Sequence, residues 1–152
     1  MKEIRGNYQG KGKKIAIVAS RFNEFITRNL LEGCQDELKK QGVEEKNIDV
    51  IWCPGSFEIP QILAKLVSKK YDALIALGTL IRGETPHFDF LASQVTKAIS
   101  NLSSNYKTPI VLGIITAETI EQAIERAGTK EGNKGREAAR VAIEMANIYS
   151  QI

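Results

Sequence analysis

Four short apolar runs, rich in β-branched residues, recur along the chain and are separated by longer amphipathic stretches. They occupy residues 15–19, 48–52, 73–77 and 110–115. Three of the four are continuously apolar rather than alternating, which is typical of strands whose two faces are both covered. The pattern therefore predicts four buried strands.

The stretches between these runs carry apolar residues at helical spacing, and residues at their ends predict where the helices begin and end. Gly42 is placed as the stop of the first helix. Thr85 is predicted to be the N-cap of the third helix, with Pro86 at its first position. Residues 119–122 form a capping box, which predicts a short fourth helix that stops at Gly128.

This alternation of strands and helices predicts an α/β protein, namely a three-layer sandwich with a central four-stranded parallel sheet of flavodoxin-like type. A loop at residues 129–135 leads into a last helix. No repeat or linker divides the chain, so residues 1–152 are expected to form one domain. Residues 1–13 are polar and are expected to be a loosely attached N-terminal arm.

Composition narrows the possible functions. The chain has 152 residues, with 21 Lys plus Arg against 18 Asp plus Glu, which gives a net charge of +3. No block of basic residues accompanies this charge, so no nucleic-acid partner is expected, and no run is long enough to predict a membrane span. The two cysteines indicate reduced thiols in a cytoplasmic protein. A single histidine excludes a His-rich metal site.

In an open parallel sheet, ligands bind beyond the carboxyl ends of the strands. That rule selects residues 20–23, 54–58, 79–87 and the end of the fourth strand near 112–116. The unusual polar, aromatic and titratable residues of the chain fall mostly in these segments. We therefore expect the functional site at this edge of the sheet.

His87 lies on this edge at the start of a predicted helix, where an imidazole suits proton transfer near neutral pH. A hydrogen-bonded structural histidine is the alternative interpretation. Residues 83–85 precede the same helix N-terminus, which attracts phosphate through free N–H groups and the helix dipole. A simply capped helix explains them equally well. Because Glu84 would repel an anion, any phosphate contact there is expected from the backbone.

Phe22 follows the first strand and is either a stacking platform for a flat heterocycle or an apolar staple over the next helix. Residues 55–58 combine a hydroxyl and a carboxylate, which suits a polyol, although a helix cap explains them equally well. Arg126 and Lys134 are either solvated surface charges or a phosphate-binding pair. Because Arg126 ends a helix that starts at the ligand edge, it is expected on the opposite side of its own subunit, serving a neighbour's site if it serves one.

Four separated motifs resemble the 6,7-dimethyl-8-ribityllumazine synthase family in sequence and order. They are RFN at 21–23, PGSFEIP at 54–60, ALGTLIRGETPHF at 76–88, and EQAIERAGTK at 121–130 with GNKG at 132–135. The resemblance covers about residues 15–148. It implies an enzyme that condenses 5-amino-6-(D-ribitylamino)uracil with 3,4-dihydroxy-2-butanone 4-phosphate, releasing phosphate and two waters, in the penultimate step of riboflavin synthesis. No metal or other cofactor is implied.

The resemblance also implies a role for each site residue. His87 would move protons. The residues implied to bind the pyrimidine substrate are Phe22, Asn23, Ser56, Phe57, Glu58, Thr79, Leu80, Ile81 and, from the adjacent subunit, Leu112. Those implied to bind the phosphate substrate are Glu84, Thr85 and, from the adjacent subunit, Arg126 and Lys134. Within these sets, Phe22 would stack on the ring and the backbone of residues 79–81 would meet the uracil edge.

Two positions depart from the family pattern: Leu112 stands where many members have Phe, and Cys53 where Val is usual. Family members form homopentamers, and many assemble these into a 60-subunit icosahedral shell. The compact loop at 128–135 resembles the shell-forming type. The resemblance further implies that residues 1–13 add a strand to a neighbour's sheet, and that the protein associates with riboflavin synthase.

Three other functions fit this fold. They are a flavin- or phosphate-binding protein without turnover, a purely structural cage protein, and the archaeal type of riboflavin synthase. The combination of Phe22, Glu58, His87 and Arg126 favours turnover, because a binding module has no need of a histidine beside a phosphate site.

Overall fold

The computed structural model describes residues 1–129 and 132–152. Its four main strands form one parallel sheet in the order β2-β1-β3-β4. The strands are β1 (Ile15–Ser20), β2 (Ile48–Cys53), β3 (Ala73–Ile81) and β4 (Ile110–Ala117). The predicted four-stranded parallel sheet is therefore confirmed.

Five α-helices in the described residues cover the two faces of this sheet. They are α1 (Glu24–Lys40), α2 (Ile59–Leu66), α3 (His87–Asn105), α4 (Ile120–Arg126) and α5 (Lys134–Tyr149). Helices α1, α4 and α5 pack on one face against Ile15 and Ile17, while α2 and α3 pack on the other against Ala16 and Val18. Since successive side chains of a strand point to opposite faces, β1 contributes to both cores. The three-layer α/β sandwich is confirmed.

Two boundaries next to the predicted site differ from the sequence prediction. Strand β3 continues to Ile81, so residues 79–81 are paired strand rather than loop. Helix α3 begins at His87 with Pro86 at the N-cap position, and no side chain caps it. The prediction that Thr85 is the N-cap is therefore wrong, because the restricted φ of Pro86 already sets the entry into the helix.

The connection from α4 to α5 also differs. Helix α4 ends at Arg126 rather than Gly128, and a small antiparallel hairpin follows, with strands β5 (Ala127–Thr129) and β6 (Gly132–Asn133). The side chain of Asn133 accepts hydrogen bonds from the N–H groups of Gly135 and Arg136, and so caps α5. Of the loop predicted at 129–135, residues 130 and 131 lie outside the described residues.

The N-terminal arm is attached more firmly than its polar sequence predicts. The side-chain amide of Asn147 on α5 donates to the backbone carbonyls of Asn7 (2.9 Å) and Gln9 (3.1 Å), and that of Gln151 donates to the carbonyl of Arg5 (3.0 Å). The accepting carbonyls belong to alternate residues, as in an extended chain.

No helix in residues 1–129 or 132–152 combines the length and apolar character needed to cross a bilayer. The helices instead carry polar residues on the face turned away from the sheet. In α5, for example, Ala139, Ala142 and Ile143 are buried while Glu137 and Arg140 are exposed.

One carboxylate, that of Glu37, is fully buried between α1 and α5. It accepts hydrogen bonds from Arg140 (2.8 Å), Arg136 (3.1 Å) and Gln41 (2.8 Å). Burial by itself raises the pKa of Glu37, but the hydrogen bonds from Arg140, Gln41 and Arg136 outweigh it and lower the pKa from 4.5 to about 2. The charged form is thus favoured in the fold, and it fastens α1 to α5.

We expect this carboxylate to make the protein sensitive to acid. Because the folded-state pKa is depressed, its contribution is complete above the ordinary pKa of 4.5 and is lost as the pH falls towards about 2. The loss in unfolding free energy amounts to roughly 3 kcal/mol. Urea unfolding at about pH 7 and about pH 3 should show a smaller drop for Glu37→Gln than for wild type. Glu24→Gln, which removes an exposed ion pair with Arg28, is the control; equal drops in all three proteins would contradict this assignment.

Candidate active site

A cavity of about 390 Å³ lies beyond the carboxyl ends of β1, β2 and β3, at the edge of the sheet selected by the sequence analysis. Its walls come from the segments that follow these strands and from the start of α3. The lining residues are Phe22, Gly55, Ser56, Phe57, Glu58, Leu80, Ile81, Gly83, Thr85, His87, Phe88 and Leu91. The sequence-predicted residues that do not line it are Asn23, Thr79, Glu84, Leu112, Arg126 and Lys134.

Two of the phenylalanine rings that line this cavity are strongly exposed, since Phe22 is 68% exposed and Phe57 is 61% exposed. The backbone of Phe22 is nevertheless fixed, since its N–H donates to the carbonyl of Pro54 (3.1 Å) and the N–H of Arg21 donates to that of Cys53 (2.8 Å). An apolar staple over α1 would bury the Phe22 ring. The exposed ring on a fixed backbone instead suits stacking on a flat heterocycle.

Asn23 and Thr79 form a structural link beside the cavity. Asn23 has a left-handed backbone (φ 58°), and its Nδ2 donates to the carbonyl of Thr79 (3.0 Å). Thr79 is fully buried, and its hydroxyl is hydrogen-bonded to that of Thr27 (3.1 Å). The carbonyl and the hydroxyl of Thr79 are therefore both engaged within the chain, where they link the end of β3 to the start of α1.

The backbone of Ile81 is the group at the end of β3 that faces the cavity. The N–H of Arg82 donates to the carbonyl of Ala117 (2.9 Å), so Arg82 directs its backbone towards β4. Neighbouring residues in a strand direct their backbone groups to opposite sides, so Ile81 directs its N–H and C=O away from β4. The pairing of β1 with β3 ends at Ala19 and Leu77, so β1 does not extend as far as Ile81. The N–H and C=O of Ile81 can therefore pair with the edge of a ligand ring that carries one hydrogen-bond donor and one acceptor.

Two buried hydroxyls next to Gly78 of β3 have no hydrogen-bond partner among the described residues, namely those of Ser20 and Ser56. A Cβ atom on Gly78 would lie 2.8 Å from Ser20 Oγ and 3.0 Å from Ser56 Oγ. Gly78 is not among the site residues predicted from the sequence. A glycine inside an apolar strand is the signal for such a close approach. Because Ser56 also lines the cavity, its unpartnered hydroxyl can bind a polar ligand.

Glu58 supplies the carboxylate of the cavity, and it also acts on Cys53 at the end of β2. Burial first, and the charge of Glu58 second, raise the pKa of Cys53 to about 11. The neutral thiol donates to the carbonyl of Gly55 (3.4 Å). Cys53 is therefore a packed thiol rather than a nucleophile. In residues 1–129 and 132–152, no three His, Cys, Asp or Glu side chains are grouped to hold a metal ion.

The start of α3 brings His87 and Thr85 to the cavity. No side chain caps this helix, and the carbonyl of Pro86 accepts hydrogen bonds from Asp89 (3.1 Å) and Phe90 (3.3 Å). The earlier N–H groups of the first turn have no partner within a helix, and they point towards the positive end of its dipole. This end of α3 can therefore receive an anion beside the imidazole.

Leu112, Arg126 and Lys134 lie together in a second cavity of about 400 Å³ along the outer edge of β4. Arg126 Nη1 donates to the carbonyl of Thr116 (2.8 Å), while Lys134 pairs with Glu137 (3.0 Å). The Arg126 guanidinium thus reaches back to the carboxyl half of β4, rather than to the opposite side of the subunit where it was predicted. None of the three residues lines the first cavity.

Comparison with known proteins gives similarities of two kinds, to a family model and to solved structures. A family model described as 6,7-dimethyl-8-ribityllumazine synthase matches residues 12–150. A de novo designed Rossmann fold protein matches the structure with a TM-score of 0.44 and 9% sequence identity, over 74% of this chain and 91% of that chain. The family match spans both cavities and the segments that connect them.

Proposed function

The chain belongs to the 6,7-dimethyl-8-ribityllumazine synthase family, and from this premise we propose that it condenses 5-amino-6-(D-ribitylamino)uracil with 3,4-dihydroxy-2-butanone 4-phosphate. Phosphate and two waters are released. The observation that carries the proposal is a single cavity with an exposed aromatic ring, a carboxylate beside an unpartnered hydroxyl, and an uncapped helix start with the chain's one histidine. These groups suit a flat ring, a polyol, a phosphate and proton transfer, respectively.

The pyrimidine substrate would lie with its ring on Phe22 and its edge on the backbone of Ile81, with Leu80 lining the same cavity. The polyol chain would form hydrogen bonds with the hydroxyl of Ser56 and the carboxylate of Glu58, and Phe57 would lie along its apolar side. This arrangement is supported by the exposure of the Phe22 ring and by the unsatisfied hydroxyl of Ser56. Asn23 and Thr79 would support the site by holding the end of β3 against the start of α1.

The phosphate substrate would lie at the start of α3, beside Thr85 and the free first-turn N–H groups. Glu84 is exposed and does not line the cavity, so its carboxylate would not oppose the anion, and its contact would come from the backbone. Arg126 and Lys134 would come from a neighbouring subunit, together with Leu112 over the ring. The separation of these three residues from the first cavity of their own chain supports this shared site.

Assembly follows from the same proposal. We expect a homopentamer and, from it, a 60-subunit icosahedral shell in the cytoplasm that can associate with riboflavin synthase. Exposed apolar side chains in a groove between β4 and α5, Leu112 and Val141, support contact with another copy. The extended course of residues 5–9, whose alternate carbonyls are bound by α5 and by Gln151 just after it, supports addition of a strand to a neighbour's sheet.

The rate of the reaction depends mainly on the alignment of the two substrates and secondarily on proton transfer. The amine of the uracil attacks the ketone, water leaves, phosphate is eliminated, and closure of the second ring releases another water. Holding the two reactants together supplies much of the acceleration. His87 would move protons in these steps, and the cationic groups would stabilise the departing phosphate.

The direct test is to incubate the purified protein with both substrates, follow lumazine absorbance and phosphate release, and measure particle mass on the same sample. Formation of one phosphate per lumazine is the expected result. Binding of either compound without turnover would favour a non-catalytic protein of this fold. Formation of riboflavin from the lumazine alone would favour the archaeal type of riboflavin synthase.

Replacing His87 with Ala should lower kcat by about 10²-fold without abolishing the reaction, because substrate alignment remains after the imidazole is removed. Steady-state kinetics at saturating substrate measure this effect. Asn105→Ala, at the other end of α3, serves as the control and should retain the wild-type rate. A wild-type rate in His87→Ala would remove His87 from proton transfer.

A further inference from the structure

We propose that Arg82 is a positioning residue that holds His87 in the cavity by clamping the first turn of α3. This inference rests on the proposed function. Arg82 directly follows β3 and does not line the cavity. Its influence on the reaction therefore passes through the residues that it binds.

The guanidinium of Arg82 joins three groups. Its Nη1 and Nη2 donate to the two carboxylate oxygens of Asp89, both at 2.9 Å, and its Nε donates to Glu118 at 2.6 Å. It also lies over the ring of Phe88, 4.6 Å from the centroid. Phe88 and Asp89 immediately follow His87, whereas Glu118 follows β4. Arg82 thus fastens the start of α3 to the end of the neighbouring strand.

The first turn of α3 has few other attachments. No side chain caps the helix. In the connection that leads to it, a Cβ atom on Gly83 would meet no other atom within 4 Å. The forked contact with Asp89 and the stacking on Phe88 therefore take over the positioning that a capping side chain supplies in other helices.

The guanidinium of Arg82 is bound by Asp89 and Glu118, so it serves this clamp and does not bind a substrate phosphate. Hydrogen bonds to Asp89 and then Glu118 raise the pKa of Arg82 above its ordinary value, and the hydrogen bond from Arg82 lowers the pKa of Asp89. The guanidinium faces two carboxylates, so its charge is already balanced. A lysine cannot reproduce a contact that is both forked and stacked.

All three charged side chains of the clamp are partly exposed. Exposed ion pairs contribute little to global stability. A small displacement of a catalytic group, by contrast, lowers the rate strongly. Loss of the clamp should therefore affect kcat far more than the unfolding midpoint.

Arg82→Met is expected to lower kcat about 10-fold, with the KM for the pyrimidine substrate within about twofold of wild type. In a double-mutant cycle, Arg82→Met should add less than about a twofold loss in the His87→Ala background, because its effect passes through the imidazole. Arg28→Met is the control, since Arg28 also pairs with a carboxylate, Glu24, and lies over an aromatic ring, that of Trp52 (5.2 Å). It should leave kcat unchanged.

Asp89→Asn provides a second variant in case Arg82→Met does not fold. It weakens the fork but retains the contact of Arg82 with Glu118, so we expect a loss of about threefold in kcat. The proposal would be overturned if the two losses in kcat multiplied in the Arg82→Met, His87→Ala double variant. Wild-type kcat in both Arg82→Met and Asp89→Asn would also overturn it.

Amide hydrogen exchange of the first turn of α3, read by mass spectrometry, tests the clamp independently of activity. Exchange should be several-fold faster in Arg82→Met than in wild type and unchanged in Arg28→Met. If wild type forms no lumazine, the proposed function fails and this measurement decides on the clamp alone. Equal exchange in wild type and Arg82→Met would then reject it.

Discussion

Arg126→Ala is expected to lower kcat/KM for the butanone phosphate by about 10³-fold while leaving binding of the pyrimidine measurable. Among residues 1–129 and 132–152, the guanidinium donates one hydrogen bond, to the carbonyl of Thr116. Its other N–H groups can pair with a phosphate, and the positive charge favours phosphate loss. The ring-binding groups lie in the other cavity and remain intact.

Steady-state kinetics with each substrate varied in turn measure this effect, and equilibrium binding of the pyrimidine confirms that the rest of the site is preserved. Arg28→Ala removes the same charge from an exposed position on α1 and should behave as wild type. Arg126→Lys should recover part of the loss through its charge, but not the forked geometry. Wild-type kinetics in Arg126→Ala would remove this residue from the site.

The same variant tests whether the site is shared between subunits. Arg126→Ala and His87→Ala chains, each nearly inactive, are dissociated, mixed in equal amounts and reassembled. If one chain supplies the imidazole and the next supplies the guanidinium, about a quarter of the interfaces regain both groups. We therefore expect the reassembled particles to regain up to about a quarter of the wild-type activity. Absence of any recovery in reassembled particles would argue that each chain forms a complete site.

Gly135→Ala is expected to prevent folding, with a loss of at least about 5 kcal/mol in unfolding free energy. Gly135 lies in the first turn of α5, where α5 contacts α1. A Cβ atom there would lie 1.9 Å from the backbone carbonyl oxygen of Leu30 and 2.6 Å from its carbonyl carbon. Helix propensity alone favours Ala over Gly by about 1 kcal/mol. The tertiary contact reverses that preference because backbone atoms cannot move aside.

A series of glycine substitutions gives the comparison. A Cβ on Gly33 would meet side-chain atoms of Asn133 at 2.4 to 2.6 Å, and these can shift at the cost of hydrogen bonds, so Gly33→Ala should lose about 2 kcal/mol. Gly83→Ala has open space and should lose less than about 1 kcal/mol. Soluble yield and urea unfolding midpoints measure the order of stability of the three glycine variants. A Gly135→Ala protein as stable as Gly83→Ala would contradict the packing of α5 on α1.

The strands, the end of α1, the start of α4 and the edge of the sheet that carries the site follow from local sequence patterns. Continuous apolar runs locate β1 and β3, and Gly42 ends α1 as predicted, with a positive φ of 102° just past the helix. The carboxyl ends of the strands then indicate where Phe22, Glu58 and His87 meet. These features depend on neighbours only a few positions apart, so a single sequence contains them.

Only the tertiary structure determined which of the predicted groups are free to bind a ligand. Asn23 occupies the carbonyl of Thr79, 56 positions away, and Arg82 binds Glu118, 36 positions away. Gly78 leaves space for two serine hydroxyls that belong to other segments. Hydrophobic periodicity records whether a residue is buried, but not which distant atom it meets. Hydrogen-bond partners and close contacts are decided by the packing of strands and helices in three dimensions, and that packing separates the residues of the site from those that hold it in place.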